Sequence, residues 1–230
     1  MTDSSIKTIF NRIAPVYDQL NDWLSFGQHR IWKQMTVKWS NANSGAFCLD
    51  LCCGSGDLAI LMAQAAGPTG TVYGVDFSPQ LLERARQRAL PWLTPLAPIY
   101  WVEADALDLP FDDNYFDACT IGYGLRNITD IPRCLAELYR VLKPGAKAAI
   151  LDFHRPSNPV MRGFQQWYLD NLVVPIASYY GFRDEYAYIS PSLEKFPNAS
   201  LQVKLARDVG FAATHYPIAG GMMGVLVVTK

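Results

Sequence analysis

Charge of one sign is what this sequence most lacks. Twenty basic residues against 21 acidic leave a formal net charge of −1 over 230 residues. No global field therefore gathers nucleic acid or an anionic surface toward it, and no nucleic-acid partner is expected. Long apolar runs are missing too: no stretch approaches the ~20 residues of a spanning helix, and Met1 to Asn11 carries no leader pattern. A soluble, cytoplasmic chain is expected, in which any peripheral membrane contact has to be apolar. Histidine is scarce, and His29, His154 and His215 lack metal-ligand spacing, so no metal is expected. The five cysteines (Cys48, Cys52, Cys53, Cys119 and Cys134) are odd in number with two adjacent. That suits neither a disulfide framework nor a zinc site and implies a reducing compartment.

What is present is apolar: half of the residues, enough for one domain spanning residues 1–230. Ile6, Ile9, Phe10 and Ile13 share a helical face before Pro15, so residues 1–40 read as an N-terminal helical cap. From Phe47 the pattern becomes strand (Phe47 to Leu51), glycine loop, helix (Leu58, Leu61, Met62, Ala65) and strand (Thr71 to Val75). Ser78-Pro79 opens a second helix, and Pro91 to Pro98 reads as a loop. Further strands are predicted at Ile99 to Val102, Phe116 to Ile121 and, after a Lys143-Pro144-Gly145 turn, Ala146 to Phe153. The last helix runs from Leu201 to Val209, and strands Phe211 to Tyr216 and Met223 to Thr229 follow. The alternation predicts an α/β Rossmann-like fold, a mostly parallel seven-stranded sheet with helices on both faces. Residues 155–198 break the rhythm. Rich in aromatics, they read as a helical insertion that either packs as a lid or offers apolar surface to a lipid tail or a membrane.

The chemistry centres on Asp50-Leu51-Cys52-Cys53-Gly54-Ser55-Gly56-Asp57, where a strand turns into a helix through two glycines. The third glycine of a dinucleotide-binding loop is missing, and Asp57 at the helix start repels a pyrophosphate. A cationic nucleoside, S-adenosylmethionine, fits better. Asp76 with Phe77 ends the second strand, 20 residues beyond Gly56, where a carboxylate can hold both ribose hydroxyls. Asp105 can accept from the adenine amino group and Ala106 can donate its amide. Asp50, Gly54, Ser55 and Gly56 in the loop and Gly122 after the fourth strand complete the expected cofactor set. Each carboxylate alone reads equally as a solvated loop residue; their spacing is what argues for a ligand. Cys52 and Cys53 read as small fillers beneath the loop.

Several stretches outside the loop resemble the ubiquinone/menaquinone biosynthesis C-methyltransferases over nearly the whole chain. They are Ile9 to Asp18, Asn21-Asp22, Ser25 to Lys33, and Gly124-Leu125-Arg126-Asn127-Ile128-Thr129-Asp130. Leu109-Pro110-Phe111 and Tyr139 to Gly145 add less. The Gly220 to Lys230 ending and the Cys52-Cys53 pair are closest to the cyanobacterial and plastid branch. That resemblance implies a lipid-tailed naphthoquinol acceptor and the last step of phylloquinone synthesis, methylation of demethylphylloquinol (2-phytyl-1,4-naphthoquinol). Demethylmenaquinol and 2-methoxy-6-polyprenyl-1,4-benzoquinol are the alternatives within the family; a nicotinamide-dependent oxidoreductase or a silent binding module are those outside it. It further implies that Arg126 and Asn127 line the acceptor pocket, that Tyr17 and His29 complete it, and that Arg126 stabilises the developing phenolate. Arg126 also reads as a structural ion-pair partner, and Tyr17 and His29 as packing residues. Oligomeric state is open, a homodimer included.

Overall fold

A computed structural model describes residues 27–90 and 96–230. The predicted helix over Ile6 to Ile13, Tyr17 and most of the Pro91 to Pro98 loop lie outside the described residues. The first described element is helix α1 (Gln28–Trp39). Strand β1 (Phe47–Leu51) then leads through the glycine loop into α2 (Asp57–Ala66), β2 (Thr71–Asp76), α3 (Pro79–Ala89) and β3 (Ile99–Glu103). Strand β4 (Phe116–Gly122) is followed by a 3-10 turn (Leu125–Asn127), α4 (Ile131–Val141) and β5 (Leu142–Phe153).

The sheet has seven strands in the order β3-β2-β1-β4-β5-β7-β6. β3, β2, β1, β4 and β5 pair in parallel. The last two strands, β6 (Ala212–Ile218) and β7 (Met223–Thr229), form an antiparallel hairpin, with β7 paired antiparallel to β5. Central strands covered on both faces must be apolar on both. Leu49, Leu51, Phe116 and Ile121 pack with Leu135 and Leu138 of α4. Cys48 and Ala118 pack instead with Leu58, Met62 and Ala63 of α2 and Val37 of α1.

Local chemistry sets the boundaries. Ser78 caps α3 by accepting from the Leu81 amide at 3.2 Å, with Pro79 in the first turn. Asp130 caps α4 and Asn198 caps α9 (Ala199–Val209), which ends on left-handed Gly210. The expected Lys143 to Gly145 turn is drawn into β5 instead. Gly145 donates to the Lys230 carbonyl and Lys230 to that of Ala146, so the edge hairpin extends the pairing past the turn residues. Gly74, mid-strand in β2, makes room for Trp101: a Cβ there would lie 2.5 Å from the indole. The same ring stands 2.7 Å from where a Cβ on Gly56 would be, so it buttresses the loop.

The expected insertion is helical: α5 (Pro159–Tyr168), a π turn (Leu169–Val173), α6 (Val174–Tyr179), α7 (Arg183–Ala187) and α8 (Ile189–Lys195). It has its own small core of Leu169, Val173, Ala177, Tyr186, Ile189 and Leu193. Helix α8 rests on the 3-10 turn Leu125–Asn127.

Where the hairpin meets this insertion, the Nε2 atoms of His154 and His215 are 3.1 Å apart, one ring donating to the other. Burial lowers both rings to about 4, and His154 adds to the effect at His215. The fold thus favours the neutral rings and the unfolded chain takes up protons first, so their contribution to stability falls as pH drops from 6.5 toward 4. Urea unfolding of wild type and His215→Gln across that window measures it. The wild type is expected to lose more stability on acidification than the variant; equal slopes would exclude the pair as the cause.

Candidate active site

Strands β1 and β4 are neighbours, but the helices after them go to opposite faces of the sheet, α2 to one and α4 to the other. The chain separates at their carboxyl ends and leaves a crevice, the usual ligand position in an open α/β sheet. A cavity of about 210 Å³ lies there, floored by Asp50 to Ser55 and walled by Asp76, Phe77, Asp105, Ala106 and Gly122 to Gly124. Both strand ends turn sharply: Cys52 (φ 56°) after β1 and Tyr123 (φ 61°) after β4 adopt left-handed backbone. For residues with a Cβ this conformation is strained, and such strain gathers at functional sites.

Asp76 holds the loop from the neighbouring strand. Its Oδ2 accepts from the Gly54 amide and its Oδ1 from the Ser78 amide, each at 2.9 Å. Asp76 is thereby fixed in the cavity wall. Asp105 is braced similarly, with Oδ1 accepting from the Leu107 amide at 2.9 Å. Gly54 and Gly56 take φ of 54° and 88°, as a tight strand-to-helix turn requires. Burial raises the Cys52 and Cys53 thiols well above the ordinary range, so neither is a thiolate and both act as filler.

Asp57 corrects one step of the sequence argument. Its carboxylate is not an open negative charge at the helix start: it pairs with Lys33 of α1 and Arg88 of α3. Burial alone would raise its pKa, but Lys33 and Arg88 outweigh that and hold it below the ordinary carboxylate range. Arg88 also donates to the Ser55 carbonyl at 3.0 Å and hydroxyl at 2.7 Å, so Ser55 is engaged in fixing the loop. With Lys33 committed to Asp57, the cavity keeps Asp50, Asp76 and Asp105 as its remaining charged lining. A cationic nucleoside fits that donor set and a pyrophosphate does not, so the expectation survives on different residues.

Asp50 is the most perturbed of the three. It lies on β1 opposite Thr120 of β4, whose hydroxyl donates to Oδ1 at 2.8 Å. Oδ2 is buried with no partner at hydrogen-bonding distance and angle. Burial raises the carboxyl to about 7; Thr120 and the Ala59 amide moderate the rise, and Asp57 and Asp76 add to it.

The expected acceptor residues divide. Arg126 does not line the cavity: its guanidinium is buried, pairs with Asp152 at 2.8 Å, donates to the Tyr123 carbonyl at 2.6 Å and lies over the Phe153 ring. The reading of Arg126 as an ion-pair partner is the one this geometry matches, because buried Asp152 takes its charge. Asn127 does line the cavity. Its Nδ2 donates to the Tyr123 carbonyl at 3.2 Å, which fixes the amide orientation and leaves buried Oδ1 without a partner. His29 is buried in α1 and is not part of the cavity wall. Lys33, Arg88, Thr120, Tyr123 and Asp152 escaped the sequence reading; only Lys33, within the Ser25 to Lys33 stretch, had a signal that could have found it.

The fold defines a Rossmann-like class I methyltransferase. A SAM-dependent methyltransferase from Aquifex aeolicus superposes with a TM-score of 0.63 at 17% identity, covering 86% of this chain and 88% of that one. One from Thermotoga maritima gives 0.67 at 18% identity over 97% and 99%. A sequence model of the ubiE/COQ5 methyltransferase family matches residues 1–230, and the chain belongs to that family. Curated relatives include the 2-phytyl-1,4-naphtoquinone methyltransferases of Nostoc punctiforme, 69% identical over 99% of both chains, and of Synechocystis, 55% identical over 100% of this chain and 96% of that one. The chloroplastic 2-phytyl-1,4-beta-naphthoquinone methyltransferase of Arabidopsis thaliana is 50% identical over 97% and 87%.

Removing the guanidinium from its pair strands a buried carboxylate, which typically costs about 3–5 kcal/mol. Arg126→Ala is therefore expected to lose stability on that scale in urea unfolding, and Arg126→Ala/Asp152→Ala to recover part of it. A single variant as stable as wild type, yet about 10²-fold slower in turnover, would return Arg126 to oxyanion stabilisation.

Proposed function

We propose that this protein transfers the methyl group of S-adenosylmethionine to the ring carbon of 2-phytyl-1,4-naphthoquinol beside its tail, the last step of phylloquinone synthesis. The observation that carries the reading is the full-length identity of 50 to 69% to relatives named for 2-phytyl-1,4-naphthoquinone, joined to a cavity lined by Asp50, Asp76 and Asp105. The cofactor supplies an electrophilic methyl group on a cationic sulfur. In this reading Asp76 takes the ribose hydroxyls, and Asp105 with Ala106 the adenine edge, all three being lining residues of the cavity. Asp50, at the floor, faces the cationic end.

A ring carbon attacks only when the adjacent hydroxyl is electron-rich, so the acceptor is the quinol rather than the quinone. Asn127 offers that hydroxyl a partner. One Nδ2 hydrogen is committed to Tyr123, and buried Oδ1 is left to accept. A quinol hydroxyl can donate to that oxygen. A hydrogen bond to that hydroxyl raises electron density on the ring and orients the reacting carbon. Arg126 enters this scheme as a positioning residue that holds the 3-10 turn through Asp152.

Methyl transfer from labelled S-adenosylmethionine is expected with reduced demethylphylloquinone and not with its oxidised form or a polyprenyl benzoquinol. Product from the benzoquinol alone would move the chain to ubiquinone synthesis. Asn127→Leu is expected to lower kcat on the quinol by about 10²-fold while cofactor affinity stays within twofold. A second expectation concerns Asp50. A cation bound beside a carboxyl that titrates at about 7 favours the ionised form, so binding releases a proton and affinity rises with pH through that region. Calorimetry at pH 7 in buffers of different ionisation enthalpy reads the release directly; heats independent of buffer would remove Asp50 from the cation's surroundings.

A further inference from the structure

The insertion holds an apolar surface that the cavity chemistry does not use. Residues Pro159–Tyr168, Leu169–Val173 and Val174–Tyr179 follow one another without a break, a helical run of roughly 30 Å. Its inward face repeats every fourth residue: Gln165, Leu169, Val173 and Ala177 are all buried. At 3.6 residues per turn a four-residue repeat drifts around the helix; the wider π turn in the middle takes up the drift and keeps the buried stripe straight. The opposite face then stays straight as well. It carries Val160, Phe164 and Trp167, spaced four and three residues apart and 78%, 48% and 57% exposed, and ends at Tyr179, 87% exposed. Phe164 stacks on Trp167 at 6.2 Å between centroids, so the two rings form one platform.

Charge is nearly absent from this run. Arg162 and Asp170 are its two charged residues; Arg162 donates to the Pro156 and Ser157 carbonyls, and Asp170 accepts from Gln166. A solvent-facing helix normally carries its charges outward; here the exposed side mixes Gln166, Asp170 and Asn171 with large exposed side chains that concentrate at Val160, Phe164 and Trp167. Among the described residues no helix is long and apolar enough to cross a bilayer. The remaining geometry for such a stripe at a lipid surface is to lie along it, with Trp and Tyr at headgroup level.

We propose that the Val160, Phe164, Trp167 and Tyr179 face docks on the surface of a lipid bilayer, so that the acceptor is drawn from the membrane rather than from water. The occupant follows from the acceptor's own chemistry, and in this the inference rests on the reading above. A phytyl tail buries enough methylene groups, at ~0.8 kcal/mol each, to keep the quinol in the bilayer, so the enzyme must meet that surface. With one positive and one negative charge on the run, docking is apolar in kind and needs no anionic lipid. The insertion also touches the site: α8 rests on the turn that carries Asn127, so the docked face and the acceptor pocket belong to one packed unit.

Flotation of the whole protein with phosphatidylcholine vesicles, with and without phosphatidylglycerol, tests it. Wild type is expected to float with both, little changed by added salt. Trp167→Glu and Phe164→Glu, at exposed positions, are expected to float about tenfold less. Turnover on quinol embedded in vesicles falls in parallel, while turnover on a short-tailed naphthoquinol in solution is unchanged. Val160→Ser, a milder change, should fall between, and unaltered melting temperatures identify properly folded variants. Wild type that stays in the soluble fraction, or variants that float as well as wild type, would overturn the proposal. So would binding confined to anionic vesicles at low salt, or a self-association that Trp167→Glu abolishes without any vesicle binding; the latter gives the face to a second copy. If no naphthoquinol is methylated in any form, the acceptor reading fails while flotation still reports on the surface.

Discussion

Everything at this site depends on adjacent parallel strands sending their following helices to opposite sides of the sheet. β1 and β4 are hydrogen-bonded neighbours as far as Leu51 and Ile121, and beyond them the chain must part. The two backbones leave through left-handed residues, Cys52 and Tyr123, whose strain is held by the packing around them. Between the departures lies space that neither strand can fill. The tight turn needed to enter α2 exposes loop amides, and Asp76 on the next strand takes one of them. Position in the sheet therefore decides which carboxylates face the ligand, and the identity of the loop residues decides how closely it approaches.

Electrostatics then sorts the cavity carboxylates into one that is paired with cations and one that is not. Asp57 has two cations and is neutralised in place, which ties α1 and α3 to the start of α2. Asp50 has no cation; its partners are a hydroxyl and a weakly placed amide, and burial raises its carboxyl to about 7. The difference matters because a protonated carboxyl does not repel its neighbours in the empty cleft, while an ionised one favours a cation once it arrives.

The strands around the crevice were legible in the sequence because periodicity and glycine placement carry them; their order in the sheet was not. Met223 to Thr229 and Phe47 to Leu51 were predicted at their observed limits, and Asp76 and Asp105 at the carboxyl ends of β2 and β3. Long-range pairing was not legible. Nothing local distinguishes Asp57 next to Lys33 and Arg88 from an exposed helix-start carboxylate, or shows that Asp152 lies under Arg126; those relations exist only once the sheet has brought distant segments together. Backbone sign at Cys52 and Tyr123 was hidden as well, because glycine is the residue that announces left-handed turns and neither position is one.

The geometry around Arg126 separates two neighbouring residues that the resemblance groups together. The Arg126-Asn127 pair sits on a three-residue turn, and the two side chains part there: Asn127 lines the cavity and Arg126 does not. Arg126 meets a buried carboxylate on β5, and a guanidinium, which stays protonated, is more stable against Asp152 than beside a cationic cofactor. Asn127 brings no charge into the cavity, and its amide is fixed by the same Tyr123 carbonyl that accepts from Arg126. A fixed neutral acceptor suits a site where cationic sulfur and an electron-rich ring have to meet. It can bind the quinol hydroxyl without adding a competing anion beside the reacting methyl group. The arginine secures the turn, the asparagine lines the cavity, and the Tyr123 carbonyl that accepts from both couples the two.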